Sequence, residues 1–173
     1  MLRGRAMMTV GSLASTLALS VMLGACSAFR SPGGSLSAAD LAAVQELNLS
    51  YPSAWRDGDP DGVIALFTDD AVLMPHHGGA VVEGVEAIRS HFWPPGAPRT
   101  NVSEFTMTPN EITVSGSLAY ARGRFALTFW WDGDDGRVTY SNAGNYLMVF
   151  SRQQDGEWKI SRYIWSDPVV DPQ

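Results

Sequence analysis

The chain has 173 residues, which is enough for one domain with a packed core. Lys and Arg number 12 against 18 Asp and Glu, so the formal net charge is −6. Because proteins bind a phosphate backbone chiefly by neutralising it with Lys and Arg, this balance argues against a nucleic-acid partner. Aromatic residues make up 10% of the chain and include 6 Trp, which indicates an aromatic pocket or a dense core.

Residues 1–25 have the pattern of a secretory signal peptide. Arg3 and Arg5 form a basic head, and an apolar run over residues 10–23 follows it. A basic head and a short apolar segment that ends in small residues are typical of an export signal. The run is shorter than the roughly 18 to 20 apolar residues that cross a bilayer. We therefore predict that residues 1–25 are removed on export.

Cys26 is the only cysteine of the chain, so it cannot form an internal disulfide. Residues 23–26, Leu-Gly-Ala-Cys, resemble the lipobox of bacterial lipoproteins. The alternative is an ordinary signal peptide that happens to contain a cysteine. The resemblance implies that Cys26 is lipidated, that residues 26–36 form a flexible tether, and that the lipid anchor is the only membrane contact. It places the protein in the bacterial cell envelope. Ser27, where Asp would retain a lipoprotein in the inner membrane, favours the outer membrane in a host that has one.

The next segment predicts a long first helix. Ser37 and Asp40 have the spacing of a capping box at its start. Pro52 lies inside this helix and is expected to kink it or to start a new turn there. Apolar residues at helical spacing form one buried stripe, which comprises Leu41, Val44, Leu47, Tyr51 and Trp55.

Two shorter helices and a short strand follow. Residues 57–60, Asp-Gly-Asp-Pro, are expected to end the first helix and to cap the second. Residues 71–74 predict a strand, residues 83–92 a third helix, and the Pro-rich residues 94–98 a loop. The apolar face of the second helix comprises Val63, Ile64, Leu66 and Phe67.

Beyond residue 100 the pattern changes from helices to strands. Turn residues separate four runs, and successive hairpins give an antiparallel meander. Helices first and strands afterwards, without alternation, predict an α+β fold and argue against a parallel sheet. We assign one domain to residues 37–168 and a tail to residues 169–173. The four predicted strands cover residues 102–115, 118–131, 137–152 and 157–167.

Three short words of sequence resemble, in their order, the SnoaL-like and ketosteroid-isomerase-like families of the nuclear-transport-factor-2-like superfamily. They are Phe-Thr-Asp-Asp-Ala-Val at residues 67–72, Glu-Gly-Val-Glu-Ala-Ile at residues 83–88 and Ile-Trp-Ser-Asp at residues 164–167. The similarity spans residues 41–167. It implies a cone-shaped, curved antiparallel sheet packed on three N-terminal helices, with an apolar pocket between them. Because such folds serve both enzymes and plain binding modules, the fold alone does not decide the function.

The catalytic pattern of the ketosteroid isomerases is only partly present. Those enzymes use an ionised Asp as base, with a Tyr and a protonated Asp as donors to the oxyanion. The resemblance places Tyr51 at the Tyr position, Pro75 at the base and Tyr146 at the protonated Asp. It also places Phe92 at a pocket Tyr and Trp165 at a pocket Trp. Because proline has no titratable group, this isomerisation is not expected here.

Other groups leave open whether the chain is an enzyme. An isomerase, lyase or hydrolase would use His76 or Asp167 as base and Tyr51 or Tyr146 as hydrogen-bond donor. The alternative is that His76 and His77 lie in a polar loop without a catalytic role. The sequence favours this alternative, because it names no third group that would orient the histidines.

The sequence predicts neither a metal site nor a cofactor. Adjacent His76 and His77 are expected to point apart, and His91 occupies a helix position that the resemblance gives to packing. The three Asp of residues 132–135 lack the ligand spacing and the closing Glu of a calcium loop. A solvated hairpin turn is therefore expected there.

Alternation along the predicted strands places aromatic side chains on common faces. Alternate residues over 125–131 share one face, as do alternate residues over 146–150 and over 161–165. If these faces line the cone, its pocket is apolar and suits a small hydrophobic molecule. Alternatively, the rings fill the cone as an ordinary core. The predicted ligand-binding residues are Tyr51, Trp55, Phe92, Phe129, Trp131, Tyr146, Tyr163 and Trp165.

The opposite strand faces also carry apolar residues. Trp130, Leu147 and Val149 are expected on the outer side of the sheet, where an apolar patch favours burial against a second copy. Many relatives dimerise through this surface, so the resemblance implies a homodimer. The leading hypothesis is an envelope-anchored module that binds a small hydrophobic molecule, dimerises, or does both.

Overall fold

The structure, a computed structural model, describes residues 37–168. The predicted signal peptide, Cys26, the tether and the tail from residue 169 lie outside the described residues. Helices precede the main strands, so the predicted α+β class is confirmed. Among residues 37–168, no helix is both long and apolar enough to cross a membrane. In chain order the elements are α1 (Ala38–Arg56), α2 (Pro60–Ala65), β1 (Phe67–Met74), β2 (Val82–Glu83), α3 (Val85–Phe92), β3 (Asn101–Ser115), β4 (Leu118–Gly133), β5 (Gly136–Arg152) and β6 (Trp158–Ser166).

Helix α1 begins where the sequence predicts it. The side chain of Ser37 accepts a hydrogen bond from the backbone N–H of Asp40 at 3.3 Å, which satisfies one free donor of the first turn. The helix runs through Pro52 to Arg56 and does not restart at the proline. Pro52 is buried, so its ring adds apolar packing to the helix, although its nitrogen cannot donate a backbone hydrogen bond.

Helix α2 is shorter than the sequence predicts. Asp59 caps it by accepting a hydrogen bond from the N–H of Gly62 at 2.9 Å. Phe67, assigned to the helix by its apolar spacing, instead begins β1 and pairs with Ile160 of β6. The N–H of Ile160 donates to the carbonyl of Leu66 at 2.8 Å. This long-range strand pairing outweighs the short local pattern.

The six strands form one curved sheet in the order β2-β1-β6-β5-β4-β3. Strands β3 to β6 pair as the predicted antiparallel meander. The expectation of a wholly antiparallel sheet is wrong for one pair, because β1 and β6 run parallel. The connection from β1 through α3 crosses to the far edge of the sheet, and the meander then brings β6 back beside β1.

A close backbone approach at Gly144 shapes the sheet next to the end of β6. A Cβ at Gly144 would overlap the carbonyl oxygen of Ser166 and lie 2.9 Å from the Cα of Asp167. Only glycine permits this approach. Gly144 and Asn142 are two positions apart on β5, so both lie on the inner face of the sheet. The chain that follows β6 therefore crosses the inner face of β5.

The core lies between α1 and the inner face of the sheet. Tyr51 is 2% exposed, and its ring makes edge contacts with Phe67, Phe105 and Tyr163 at centroid distances of 5.9, 5.8 and 5.5 Å. Toward one end of β4 and β5, around Met148, the inner face is fully packed. Toward the other end it borders a cavity.

Candidate functional site

A cavity of about 340 Å³ lies between α1, α3 and the inner face of the sheet. Sites for small molecules have volumes of roughly 300 to 1,000 Å³ and are mostly apolar. Most of the lining side chains are aromatic or aliphatic, and a few polar groups join them. The lining residues are Tyr51, Trp55, His76, Phe92, Thr100, Val102, Phe105, Phe125, Leu127, Phe129, Tyr140, Asn142, Tyr163 and Trp165.

Contacts between rings hold the aromatic walls in place. Trp55 of α1 makes edge contacts with Tyr51 at a centroid distance of 6.3 Å and with Phe92 of α3 at 5.1 Å. Trp165 of β6 lies tilted against Tyr163 at 4.9 Å. Because neighbouring rings already hold these side chains, binding an apolar molecule requires little further ordering of the walls.

A polar cluster lies beside the cavity where β6 ends. His76, which follows β1, lines the cavity, and its Nδ1 donates to a carboxylate oxygen of Asp167. The amide nitrogen of Asn142 in β5 donates to the other carboxylate oxygen. The side chain of Asp167 is 0% exposed, whereas that of His76 is 30% exposed. With Nδ1 engaged, Nε2 is the nitrogen of His76 that remains for a bound molecule.

His77 turns its ring toward the same carboxylate. Its φ of 55° lies in the left-handed region that few residues other than glycine adopt. The rings of His76 and His77 stack, with centroids 4.0 Å apart and an interplanar angle of 28°. Nε2 of His77 donates to the main-chain oxygen of Asp167 at 2.9 Å and lies 3.7 Å from Oδ1. The expectation that the two histidines point apart is therefore wrong, because it assumes an extended backbone.

Burial determines the protonation of two tyrosine hydroxyls next to the cavity. It raises the pKa of Tyr51 above the ordinary value of 10.0. Burial, reinforced by repulsion from Tyr51, Tyr146 and Asp167, raises the pKa of Tyr163 well above that value. Both phenols are therefore neutral at ordinary pH, so they can donate a hydrogen bond but do not act as bases.

The sequence that forms these helices and strands matches a known protein family. Residues 37–164 match the family model of the SnoaL-like domain. The chain belongs to the SnoaL-like family. The resemblance that the sequence indicates is thus confirmed at the level of the family. No curated protein matches the chain significantly.

Solved structures share the fold of this SnoaL-like domain. A ketosteroid isomerase-like protein from Erwinia carotovora atroseptica is 21% identical, with a TM-score of 0.63 over 78% of this chain and 100% of that chain. A nuclear-transport-factor-2-like protein with a cystatin-like fold from Novosphingobium aromaticivorans is 19% identical, with a TM-score of 0.56 over 77% and 84%. A protein from Catenulispora acidiphila, in complex with S-DNPA, is 21% identical, with a TM-score of 0.52 over 76% and 95%. At these identities the similarity shows the fold alone.

The SnoaL-like domain brings most of the predicted ligand-binding residues to one cavity. They come from α1, from α3 and from two strands of the meander, so the predicted aromatic faces converge. Those that line the cavity are Tyr51, Trp55, Phe92, Phe129, Tyr163 and Trp165.

Two predicted ligand-binding residues, Tyr146 and Trp131, do not lie among those that line the cavity. Tyr146 is buried in the core, where burial raises its pKa and its hydroxyl donates to Oδ1 of Asn48 at 3.0 Å. Trp131 stacks on Phe129 at a centroid distance of 5.9 Å. Both lie on the strand faces that the sequence predicts to point inward, but the cavity extends along only part of those faces. Neither side chain therefore belongs to the lining of this cavity.

The sequence analysis missed Tyr140 and Asn142, which line the cavity from β5. The alternation that runs through Tyr146 extends backward to both, so this signal could have found them. His76 and Asp167, predicted as alternative bases, are in contact although 91 positions separate them. Pro75 directly precedes His76, so the titratable group after β1 lies one position further along the chain.

Proposed function

We propose that this SnoaL-like domain binds a small, largely apolar molecule in its aromatic cavity. The observation that carries the proposal is a cavity of about 340 Å³ whose walls are held by contacts between rings of different elements, α1 with β6 and α1 with α3. Burying apolar ligand surface there contributes roughly 25 cal/mol per Å². His76 and Asn142 supply polar contacts at one end, and such contacts orient a ligand.

Two buried polar atoms favour a ligand that carries both a donor and an acceptor. Among the described residues, Oδ1 of Asn142 forms no hydrogen bond, and Nε1 of Trp55 has the Tyr51 hydroxyl nearby but makes no hydrogen bond of good geometry. Each unpaired buried group costs about 1–3 kcal/mol, so a ligand that pairs with it gains affinity. The amide oxygen accepts and the indole nitrogen donates. We expect a hydroxyl or amine of the ligand at Asn142 and an acceptor at Trp55.

Binding is testable with the apolar fluorophore 1-anilinonaphthalene-8-sulfonate. Trp165→Ala should weaken fluorophore binding about tenfold or more, since burying a large apolar side chain contributes roughly 1.5–3 kcal/mol. Trp130→Ala is the matched control, because Trp130 alternates with the inward-facing Phe129 and lies under Arg137, 3.6 Å from the ring centroid. Equal affinity in the two variants would contradict the proposal. Native mass spectrometry of the purified protein would identify a molecule that it carries.

The contact between His76 and Asp167 favours a second candidate function, an isomerase, lyase or hydrolase activity. The carboxylate holds His76 in the tautomer whose Nε2 is unprotonated, and that atom can accept a proton from a bound molecule. Tyr51, neutral because of burial, is suited to donate to a developing oxyanion. Tyr146 is less suited, because its hydroxyl already donates to Asn48.

The catalytic proposal can be tested once native mass spectrometry has identified a molecule bound to the purified protein. His76→Ala should abolish turnover of that molecule while fluorophore binding persists. Unchanged turnover in His76→Ala would leave binding as the function of the cavity.

We propose further that the domain is anchored in the bacterial cell envelope by a lipid on Cys26. The basic head, the apolar run over residues 10–23 and the lipobox-like residues 23–26 support this location. Ser27 favours the outer membrane where the host has one.

We also propose that the domain forms a homodimer through the outer face of the sheet. Leu147 and Ile164 are paired across β5 and β6 and remain 38% and 39% exposed. Adjacent exposed apolar side chains of this kind are typical of surfaces that a partner covers. Arg137 covers part of Trp130, so the apolar patch is smaller than the sequence indicates.

A further inference from the structure

We infer that His76, His77 and Asp167 bind a divalent transition-metal ion, with zinc as the reference case. One ring nitrogen of His76, one ring nitrogen of His77 and a carboxylate oxygen of Asp167 all lie within 4.8 Å of one another. Among residues 37–168, no other three side chains of the metal-binding types come together in this way. Two imidazoles and one carboxylate are a donor set that suits zinc, iron, cobalt or nickel, whereas calcium and magnesium prefer oxygen ligands.

The backbone at His77 is the first independent argument for this site. A non-glycine residue at a φ of 55° is strained relative to ordinary backbone. The consequence of this conformation is that both imidazoles face Asp167, stacked 4.0 Å apart. The tight turn is closed by a hydrogen bond from the N–H of Gly79 to the carbonyl of His76 at 3.1 Å. Binding an apolar molecule does not require His77, which is not among the residues that line the cavity.

The surroundings of the carboxylate are the second argument. Asn142 donates to the carboxylate oxygen that His76 does not contact, and the Asp167 side chain has no exposed surface. Outer-shell hydrogen bonds of this kind orient carboxylate ligands in metal sites. The ion takes the place of the hydrogen bonds from the two rings to Asp167. The single proton of each neutral ring then lies on the nitrogen that does not bind the ion.

The position of the cluster gives the ion a role at the cavity. His76 lines the cavity, so the ion lies at its edge. Three protein ligands leave at least one coordination position open, as in catalytic zinc sites. A polar oxygen or nitrogen of the bound molecule would occupy that position. The role of the ion in holding a bound molecule rests on the proposed binding function of the cavity. The test of metal binding itself does not depend on that function.

The test is a cobalt titration of the untagged, metal-depleted full chain, followed by visible absorption. The wild type should bind one Co²⁺ per chain, and Zn²⁺ should displace it. His77→Gly should weaken binding by more than about 100-fold, because loss of an outer-shell partner alone costs roughly 10- to 100-fold. Glycine accepts a positive φ, so this variant removes the ligand without straining the turn. His91→Ala, which removes an exposed histidine of α3, should bind Co²⁺ like the wild type.

Each outcome separates the metal site from the binding function. All variants retain Cys26, so cobalt bound by a thiol would appear equally in each and serves as the baseline. A wild type that binds no more cobalt than His77→Gly would overturn the inference, and so would equal weakening in His91→Ala. Fluorophore binding in His77→Gly should match the wild type. Intact fluorophore binding without cobalt binding would thus remove only the metal site.

Discussion

The carboxylate of Asp167 has no exposed side-chain surface and contacts His76 and Asn142 at the same time. Each partner occupies a different oxygen, so the three side chains orient one another. This cluster supplies the group that the sequence could not name, one that holds the histidine in a defined tautomer. The proposed proton transfer and the proposed metal ligation both depend on it.

The buried contacts of Asp167 predict a loss of stability when the side chain is removed. Asp167→Ala leaves the amide nitrogen of Asn142 without its acceptor, which should lower the free energy of unfolding by about 1–3 kcal/mol. Urea unfolding followed by fluorescence measures the change. Asp70→Ala, at an exposed position of β1, is the control and should change stability little. Equal stability of the two variants would show that the buried contacts contribute nothing.

The buried phenols predict a dependence of stability on alkaline pH. Because burial raises the pKa of Tyr51 above 10.0, the folded protein keeps a proton that the unfolded chain releases. This contribution is fully present below pH 10.0 and is lost as the pH rises toward the folded pKa. The free energy of unfolding should therefore fall as the pH rises above 10.0. Tyr51→Phe should make this fall with pH less steep.

Urea midpoints measured on both sides of pH 10.0 would check this expectation. Tyr120→Phe is the control, since the Tyr120 hydroxyl is part-exposed and contacts Glu111 on the outer side of the sheet. A slope that responds equally to both substitutions would argue against a special contribution from Tyr51.

At the scale of the elements, the cavity depends on how β5 and β6 meet. The meander places Tyr140 and Asn142 of β5 opposite α1, and the chain beyond β6 crosses β5 at Gly144. The parallel pairing of β1 with β6 brings the segment after β1, with His76, to the same place. Three elements distant in sequence thus contribute to one polar cluster.

Gly144→Ala should damage this junction specifically. The new methyl group would overlap the carbonyl of Ser166 and push Asp167 away from Asn142. Overpacking of this kind lowers stability by about 1–3 kcal/mol. Ala143→Ser, at the exposed neighbouring position, should be neutral. Thermal unfolding and the cobalt titration measure the two effects, and unchanged cobalt binding in Gly144→Ala would contradict the proposed link.

At the scale of the whole molecule, the outer face of the sheet predicts self-association. Replacing Leu147 or Ile164 by Asp would place a charge in the proposed dimer interface, and burial of an unpaired charge is costly. Analytical ultracentrifugation should show a dimer for the wild type and a monomer for either variant. Leu49→Asp is the control, because Leu49 is 56% exposed on α1, away from this face. A monomeric wild type would remove the proposed dimer.

The anchoring hypothesis makes a separate prediction about Cys26. Mass spectrometry of the N-terminal peptide should find several acyl chains on Cys26, and the wild type should sediment with membranes. Cys26→Ser should carry no acyl chain and should lose the membrane attachment. An unmodified, uncleaved N-terminus in the wild type would contradict both parts of the prediction.

The sequence by itself determined what depends on near neighbours along the chain. The capping box at Ser37, the stripe through Tyr51 and the alternation around Phe129 established the helix, the strands and the aromatic faces. These signals are local, because a side chain's direction repeats every few residues in a helix and every second residue in a strand. The same local signals, together with the resemblance, sufficed for the family and for placing six of the eight residues predicted to bind a ligand in the lining of the cavity.

Only the tertiary structure decided which residues share the cavity and what lies at its edge. Alternation assigns Tyr146 and Trp131 to the inner faces, but the sheet's curvature and the packed core determine which stretch of those faces stays open. The contact of His76 with Asp167 joins positions 91 residues apart and depends on the parallel pairing of β1 with β6. Strand order and curvature arise from interactions between distant segments, so no local period of the sequence encodes them.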